Sequence, residues 1–403
     1  MENKYDVIII GARCAGAPTA MLLARKGYKV LLVDKAKFPS DTISTHIIFP
    51  KGVELLMRWG LLDRIFASNV PVINRMGADF GPFTLTGSPP LPEGVPGIIA
   101  PRRIILDKIL IDAAIEAGAE FRENCMVEEI LMDGDQVTGI RCHSKGGKTV
   151  TEKARMVIGA DGRNSMVAKT VRAESYNVIP TLTCWYYTYW SGTQIRDLVL
   201  HSRPNRAFGA IPTNDGLVCL PVACSVSDFQ DFRSDIEGNY LKTLDMHPEL
   251  AELVRQGKRE EKFFGMSDND NFFRKPFGPG WALVGDAGYH KDPITGQGIS
   301  NAFRDAESLA TSLDAAFSGN DSLENALALY QKTRDEESMP MYGFTCDFAK
   351  LKDPPPDMQY FFSILQGNQK ESDRFFGALA GTVPIPEFYS PENIQRIIGA
   401  VNA

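Results

Sequence analysis

The sequence contains no long hydrophobic run. None of its apolar stretches approaches the roughly 18 residues that a membrane-spanning helix needs, so we expect no transmembrane segment. The opening apolar run, Val7-Ile8-Ile9-Ile10, directly follows Asp6 and is too short for the apolar part of a secretory signal.

Positive charge is scarce as well. The 403 residues include 43 Lys and Arg against 50 Asp and Glu, which gives a formal net charge of −7. Nucleic acids and anionic membranes favour basic surfaces, so we expect neither as a partner. The charge balance favours a soluble protein whose partner is a small molecule.

Paired cysteines are absent. The seven cysteines are an odd number, are scattered, and form no CxxC pair. This pattern is typical of reduced thiols and excludes enzymes with a redox-active disulfide. We therefore predict a cytoplasmic protein without a metal site. The chain is long enough for two domains that share an interface, as a monomer or a homodimer.

Residues 5–34 have the pattern of strand, turn, helix and strand. Tyr5 to Ile10 is a short buried run that ends at Gly11, and residues 15–26 have helical spacing. Residues 28–33 form a second apolar strand. This is a βαβ unit, which predicts a parallel sheet.

The pattern changes between about 178 and 224, where stretches rich in Tyr, Trp, Thr and Val alternate with turns. We predict an α/β fold: a Rossmann-like domain with a parallel sheet, an inserted substrate domain with a mixed or antiparallel sheet, and a helical C-terminus. The expected boundaries are 1–175 for the first part, with substrate-domain strands around 76–100, then 176–275 for the substrate domain, 276–340 for completion of the first domain, and 341–403 for the C-terminal helices.

The first chemical motif is the turn Gly11-Ala12-Arg13-Cys14-Ala15-Gly16 between the first strand and helix. Backbone amides at such a helix N-terminus bind pyrophosphate. Asp34 ends the next strand, where a carboxylate accepts hydrogen bonds from an adenosine ribose. Arg13 replaces the usual second glycine, which blocks one close backbone approach but adds a cation.

Two further motifs follow buried strands. Asp161-Gly162 ends one of them, and read alone it is also an ordinary turn. Gly285-Asp286 ends another and leads through Pro293 and Gly296 into a long helix. The amides and dipole of that helix N-terminus would stabilise negative charge on a ring placed against it.

The order and spacing of the three motifs resemble the p-hydroxybenzoate hydroxylase superfamily of flavoproteins, which includes aromatic hydroxylases, halogenases and geranylgeranyl reductases. The resemblance covers roughly residues 5–340 and implies FAD as cofactor. The residues that it places at FAD are Gly11, Arg13, Cys14, Ala15, Gly16, Asp34, Lys35, Arg103, Val127, Asp161, Gly162, Gly285, Asp286, Pro293, Gly296, Gly298 and Ile299.

No second strand, glycine loop and helix exists for a nicotinamide nucleotide. The resemblance therefore implies that NAD(P)H docks transiently as electron donor, or that a separate flavin reductase supplies reduced flavin. The sequence leaves these two possibilities open.

Two branches of the superfamily fit poorly. Halogenases carry a WxWxIP motif, but Ala207 and Gly209 occupy its tryptophan positions here, and residues 76–86 contain no lysine. Geranylgeranyl reductases often carry YxWxFPK on the same strand, of which only Pro212 remains. Hydroxylation with O2 is thus the main prediction, with reduction of an isoprenoid or enone double bond as the alternative.

The substrate expected is an aromatic, polyketide-like or apolar small molecule. Trp185, Tyr187 and Tyr189 share one face of a predicted strand and would line its pocket, or they pack on helices. His46 lies where the superfamily brings a loop beside the flavin. It would act as a base or a hydrogen-bond donor to substrate, or it is a surface histidine.

Overall fold

The computed structural model describes residues 4–144 and 146–399. The strands, in chain order, are β1 (Tyr5–Ile10), β2 (Val30–Val33), β3 (Val72–Ile73), β4 (Met76–Asp79), β5 (Thr84–Gly87), β6 (Ile98–Ile99), β7 (Glu120–Arg122), β8 (Cys125–Asp133), β9 (Gln136–Ser144), β10 (Thr149–Gly159), β11 (Ser175–Ile179), β12 (Thr183–Ser191), β13 (Leu198–Arg203), β14 (Arg206–Pro212), β15 (Val218–Ser225), β16 (Lys258–Arg259), β17 (Phe264–Met266), β18 (Asn271–Arg274), β19 (Phe277–Gly278), β20 (Trp281–Leu283) and β21 (Tyr289–His290).

The helices lie between and after these strands. In chain order they are α1 (Gly16–Arg25), α2 (Pro50–Arg58), α3 (Leu62–Phe66), α4 (Arg103–Glu116), α5 (Met166–Thr170), α6 (Phe229–Ser234), α7 (Ile236–Leu244), α8 (Pro248–Gln256), α9 (Gly298–Phe317), α10 (Leu323–Phe348), α11 (Pro356–Gln366), α12 (Gln369–Ala380), α13 (Ile385–Phe388) and α14 (Pro391–Gly399).

The first sheet has the strand order β19-β20-β10-β1-β2-β7. β1 pairs in parallel with β2 and β10, and β10 pairs in parallel with β20. Ile10 lies opposite Val33 and Gly159, and Gly159 lies opposite Leu283. The segments that follow β1, β2, β10 and β20 therefore meet at one edge of the sheet, where parallel sheets bind ligands.

The two faces of this sheet are covered differently. Val7 and Ile9 point into a core formed with helices α1, α4 and α9. Ile8 and Ile10 point to the opposite face, where the β8–β9 hairpin covers them. The alternation follows from the two-residue period of a strand, and β1 is apolar from Val7 to Ile10 because both of its faces are buried there.

Strand β10 extends well before the buried segment that ends at Asp161-Gly162. It spans 11 residues, and its first half pairs with β9 in antiparallel fashion, with Thr149 opposite His143. Only the second half carries a continuous buried run, the Met156 to Gly159 stretch that joins the parallel sheet. The first half is largely exposed, with Thr149, Val150 and Thr151 all facing solvent, so it lacks the buried apolar run of the second half.

The second sheet has the order β16-β12-β15-β14-β13-β4-β5, and β17 also pairs with β12. Its pairs are antiparallel except that β13 runs parallel to β4. β4 and β5 come from residues 76–87, so the sheet collects strands from two separated parts of the chain. A small third sheet, β11-β18-β21, links the two large ones.

Helix α10 continues through the boundary that the sequence predicts after residue 340. It spans 26 residues and contains Pro340. The helix continues past the proline because Tyr342, Thr345 and Cys346 are buried against the rest of the protein, and this packing outweighs the lost backbone hydrogen bond. The expected domain boundary between 340 and 341 thus falls inside one helix.

The architecture confirms the predicted fold class: a parallel sheet in a Rossmann-like arrangement, a second and largely antiparallel sheet, and a helical C-terminus. Within the described ranges, every helix is too short or too polar to cross a bilayer.

Candidate active site

The turn from Gly11 to Gly16 joins β1 to α1 at the carboxyl edge of the parallel sheet. Gly11 has φ +101°, and a Cβ atom there would lie 2.4 Å from the carbonyl oxygen of Ala160. Only glycine permits this approach between the ends of β1 and β10. Helix α1 begins with no side-chain cap and no acidic residue in its first turn, so the positive end of its dipole faces this edge and can attract an anion.

Asp34 lies beside this turn at the end of β2. Its two carboxylate oxygens accept hydrogen bonds from the backbone N–H groups of Ala12 and Ala36, each at 2.8 Å. The carboxylate is thereby fixed against the first motif, while Lys35 is exposed. The backbone N–H of Cys125 donates to the Asp34 carbonyl, which places β8, and Val127 within it, beside the same edge.

A buried ion-pair cluster centres on Asp107 of α4. Its carboxylate accepts hydrogen bonds from Arg103 at 3.0 and 3.1 Å and from Arg13 at 2.6 Å. The thiol of Cys14 lies 3.4 Å from the same carboxylate, and burial raises the pKa of this thiol, which keeps it neutral. The guanidinium of Arg13 also contacts Ser40.

Asp107 was not predicted from the sequence, although it joins three of the predicted cofactor residues. The available signal was its position four residues after Arg103, which places both side chains on one face of a helix. An Arg and an Asp at this spacing are common on exposed helices, so the pattern alone does not reveal a buried cluster.

Arg274 of β18 connects the second motif to the third. Its guanidinium donates to the carbonyl oxygen of Ala287 at 2.9 Å and to that of Arg163 at 3.0 Å. Asp161 accepts a hydrogen bond from Met166 N–H through one oxygen, and its other oxygen is buried without a partner among the described residues.

The third motif forms two short turns before α9. The first, Gly285–Ala287, leaves Asp286 exposed at the sheet edge. The second, Pro293–Thr295, ends at Gly296, and α9 then begins at Gly298 with Ile299 buried behind it. Helix α9 has neither a side-chain cap nor an acidic residue in its first turn, so its N-terminus can accept negative charge.

These features together fit FAD. Two uncapped helix N-termini and the Gly11 turn suit the negative charge of a pyrophosphate and of a reduced ring. The fixed carboxylate of Asp34, the unpartnered oxygen of Asp161 and the exposed Asp286 supply acceptors for ribose and ribityl hydroxyl groups.

His46 is fully buried, so the surface alternative for this residue is wrong. Its Nε2 lies 2.7 Å from the hydroxyl of Tyr189, and its Nδ1 has no partner among the described residues. Burial lowers the pKa of His46 to about 3, Asp41 opposes that shift, and Arg103 and Arg102 add to it. The imidazole is therefore neutral near pH 7.

A cavity of about 530 Å³ lies between the second sheet, the Pro293–Gly296 loop and the C-terminal helices. Its wall is mostly apolar and includes Thr45, Ile47, Phe49, Met76, Trp185, Leu198, Leu200, Ser202, Gly209, Ile211, Pro293, Ile294, Phe344, Phe348, Phe362, Phe375 and Phe376. The segment 45–49 contributes alternate residues to this wall, and His46 points away from it.

The three aromatic residues predicted to share a pocket are divided. Trp185 lines the cavity, whereas Tyr187 and Tyr189 lie outside the wall formed by the described residues. Tyr187 stacks on Phe264 and lies edge-on to His46. The three aromatic residues share one sheet face as predicted. The segment before α2 covers the end of that face that carries Tyr187 and Tyr189.

Small residues on the second sheet make room for the cavity. Ala207 lies between Ser202 and Ala223 in the strand register, and Gly209 lies opposite Leu200. A Cβ atom at Gly209 would lie 2.5 Å from the carbonyl oxygen of Val199, so a larger residue requires the strands to move apart. These are the two positions where the halogenase motif has tryptophan.

One cluster outside the cavity has the residue types of a metal site, namely Asp79, His201 and His247. Arg203 donates to the same Asp79 oxygen that His201 contacts, at 2.6 Å. Nδ1 of His247 accepts the hydrogen bond of Leu250 N–H, and its Nε2 lies 3.9 Å from the same Asp79 oxygen. The guanidinium of Arg203 already supplies the positive charge that a metal ion would bring to Asp79.

A family profile described as an FAD binding domain matches residues 4–344 of the chain. The digeranylgeranylglycerophospholipid reductase of Methanosarcina acetivorans is 28% identical to the chain, over 94% of this chain and 93% of the relative.

Solved structures share the fold. The myxobacterial chondrochloren halogenase has a TM-score of 0.80 at 21% identity, covering 98% of this chain and 96% of that one. A probable FAD-dependent monooxygenase from Pseudomonas aeruginosa, PqsL, has a TM-score of 0.71 at 20% identity, covering 93% and 98%.

Proposed function

The chain belongs to the FAD binding domain family and is an FAD-dependent oxidoreductase, and we propose that it is a monooxygenase that hydroxylates an aromatic or polyketide-like small molecule with O2 and NAD(P)H. The observation that carries this proposal is the apolar cavity bounded by the Pro293–Gly296 loop. Bound FAD supplies electron transfer and the activation of oxygen.

The protein's own task in such a reaction is to hold the substrate and keep water away. The wall formed by Ile47, Phe49 and Ile211 provides dry, close-packed surface beside the loop that leads into α9. The free N–H groups at the start of α9 would stabilise negative charge that develops on the cofactor.

We assign His46 a positioning role. Its neutral ring binds Tyr189 and lies edge-on to Tyr187, on the side of the chain away from the cavity. It therefore fixes the segment whose neighbouring residues, Thr45 and Ile47, line the cavity. In this proposal His46 positions the cavity wall and does not exchange a proton with the substrate.

The electron donor in this proposal is NAD(P)H, either docked transiently or used by a separate reductase. Within the described ranges, the parallel sheet has one connection of the strand, glycine loop and helix type, at Gly11. We assign this connection to FAD. A nicotinamide nucleotide would thus bind on the surface rather than in a second domain of its own.

A second candidate function is reduction of an isoprenoid or enone double bond. The 28% identity with a digeranylgeranylglycerophospholipid reductase over nearly the whole chain favours it, and an apolar cavity suits an isoprenoid as well as a polyketide. Halogenation has less support, since the two tryptophan positions hold Ala207 and Gly209, the second of which lines the cavity.

The experiment that tests the proposal is oxygen uptake and NAD(P)H oxidation by the purified, FAD-loaded protein over a panel of phenols, polyketide aromatics and enones. Oxygen uptake that depends on substrate, with an oxygenated product by mass spectrometry, is the expected result. A saturated product formed without oxygen would overturn hydroxylation and establish the reductase.

A further inference from the structure

The charged residues of the cavity wall all lie at its mouth. Among the described residues that line the cavity, those with charge are Asp347, Lys350, Lys352 and Asp353, and each is exposed. They follow one another at the end of α10 and in the linker after it. Lys350 pairs with Asp347 at 2.6 Å, and the four charges sum to zero.

The interior of the cavity offers two free hydroxyl groups instead. Ser202 on β13 is 7% exposed, and Thr45 precedes His46 in the segment before α2. Neither hydroxyl has a hydrogen-bond partner in the part of the chain that the structure describes. A third hydroxyl in the wall, that of Thr295, is already bonded to Thr345 at 2.8 Å.

A charged ligand group would have no counter-ion inside such a cavity. Moving an ion into an apolar site without a partner is strongly unfavourable, whereas a hydroxyl or carbonyl loses little if it finds a hydrogen bond. The interior therefore binds carboxylates and ammonium groups weakly. It favours a neutral ligand oxygen that forms a hydrogen bond with Ser202 or Thr45.

We propose that the cavity selects a neutral, predominantly apolar molecule with a hydroxyl or carbonyl oxygen that Ser202 and Thr45 hydrogen-bond. The inference rests on the proposed function in that it makes this cavity the substrate site. It holds for oxygenation and for reduction alike, because it concerns what the cavity binds.

The position of Ser202 makes it the main specificity determinant. It lies opposite Ala207 in the strand register, and Ala207 lies opposite Ala223, so no large side chain separates its hydroxyl from the cavity. With Trp185 opposite Ala223, the row from Trp185 to Ser202 provides one flat aromatic surface and one hydrogen-bonding group.

The test is equilibrium dialysis of the oxidised, FAD-loaded protein with naphthalene, 2-naphthol and 2-naphthoate. We expect 2-naphthol to bind at least about 10-fold more tightly than 2-naphthoate. Ser202→Ala should weaken 2-naphthol binding roughly 2- to 10-fold and leave naphthalene binding unchanged. Thr45→Val tests the second hydroxyl in the same way.

The matched control is Ser363→Ala, which removes an exposed hydroxyl from α11 on the side of that helix away from Phe362. Equal or tighter binding of 2-naphthoate would overturn the inference, as would failure of both neutral probes to bind. So would unchanged 2-naphthol binding in both hydroxyl variants. The dialysis experiment contains no NAD(P)H, so its result does not depend on turnover. Absence of oxygen uptake in the activity assay would therefore count against the proposed hydroxylation alone.

Discussion

Asp107 accepts two hydrogen bonds from the guanidinium of Arg103, one helical turn earlier on α4, at 3.0 and 3.1 Å. Both side chains are buried, and Arg13 reaches the same carboxylate from the first motif. The pair thus joins α4 to the Gly11 turn, and the position of either arginine depends on it.

Asp107→Asn should therefore weaken FAD binding and destabilise the fold. Removing one partner of a buried ion pair lowers the free energy of unfolding by about 3 to 5 kcal/mol. The measurements are urea unfolding and the dissociation constant of FAD by flavin fluorescence. Asp112→Asn is the control, since Asp112 forms an exposed pair with Lys108 on the same helix. Equal effects of the two changes would contradict the role of Asp107.

Comparing Gly11 with Gly118 separates the energetic effect of steric contact from that of a positive φ. Gly11 and Gly118 have φ of +101° and +104°, but a Cβ atom at Gly118 meets no atom within 4 Å. Gly118→Ala should cost about 1 to 2 kcal/mol in unfolding free energy from backbone strain alone. Gly11→Ala should cost more and abolish FAD binding, because its Cβ atom meets the Ala160 carbonyl. Retention of FAD by Gly11→Ala would show that the strands can separate there.

His46 should make the stability of the protein depend on pH. Its folded pKa is lowered to about 3, so between that value and its usual pKa the unfolded chain binds the additional proton. Stability is then lost as pH falls through this range, by at most about 1.4 kcal/mol per pH unit.

His46→Asn removes this group and keeps a residue that tolerates the φ of +64° found there. The slope of unfolding free energy against pH, measured by urea unfolding between pH 4 and 7, should become shallower in this variant. The change should correspond to uptake of about one proton fewer on unfolding. His143→Gln, on the partly exposed hairpin strand β9, is the control and should retain the slope. An unchanged slope in His46→Asn would place the acid sensitivity elsewhere.

Arg274→Met should loosen the third motif from the second. The bonds from Arg274 to the carbonyls of Ala287 and Arg163 hold the Asp286 turn beside the Asp161 turn. We expect FAD affinity to fall at least roughly 10-fold, which corresponds to about 1.4 kcal/mol, less than two hydrogen bonds from a charged donor contribute. Lys275→Met, an exposed neighbour, should bind FAD normally. Isothermal titration of apoprotein with FAD would decide between these outcomes.

The parallel sheet could be predicted from the sequence because Val7 to Ile10 of β1 and all of β2 are buried on both faces and apolar. The first half of β10 and the course of α10 beyond Pro340 could not, because tertiary packing determines them. The assignments of residues to FAD stay predictions, although the structure brings the ends of β1, β2, β10 and β20 to one edge.

The cavity was the least predictable part of the site. Its existence depends on Ala207 and Gly209 lying beside Ser202 and Leu200, a relation between strands that no local pattern encodes. The division of the aromatic face between Trp185 and the two tyrosines depends likewise on the segment that covers one end of the sheet. Sequence periodicity gives the face of a residue but not what covers it.

Helix α10 also constrains which parts of this protein can change in evolution. Near its middle, Arg334 donates to the carbonyl oxygens of Gly288 and Arg274, and near its end Phe344 and Phe348 form cavity wall. One continuous helix thus carries both contacts, so α10 belongs to the parallel-sheet part of the protein and to the cavity wall alike. A substitution at a cavity position of α11 or α12 would change the cavity wall alone, whereas a tilt of α10 would displace the cavity wall and the segment after Asp286 together.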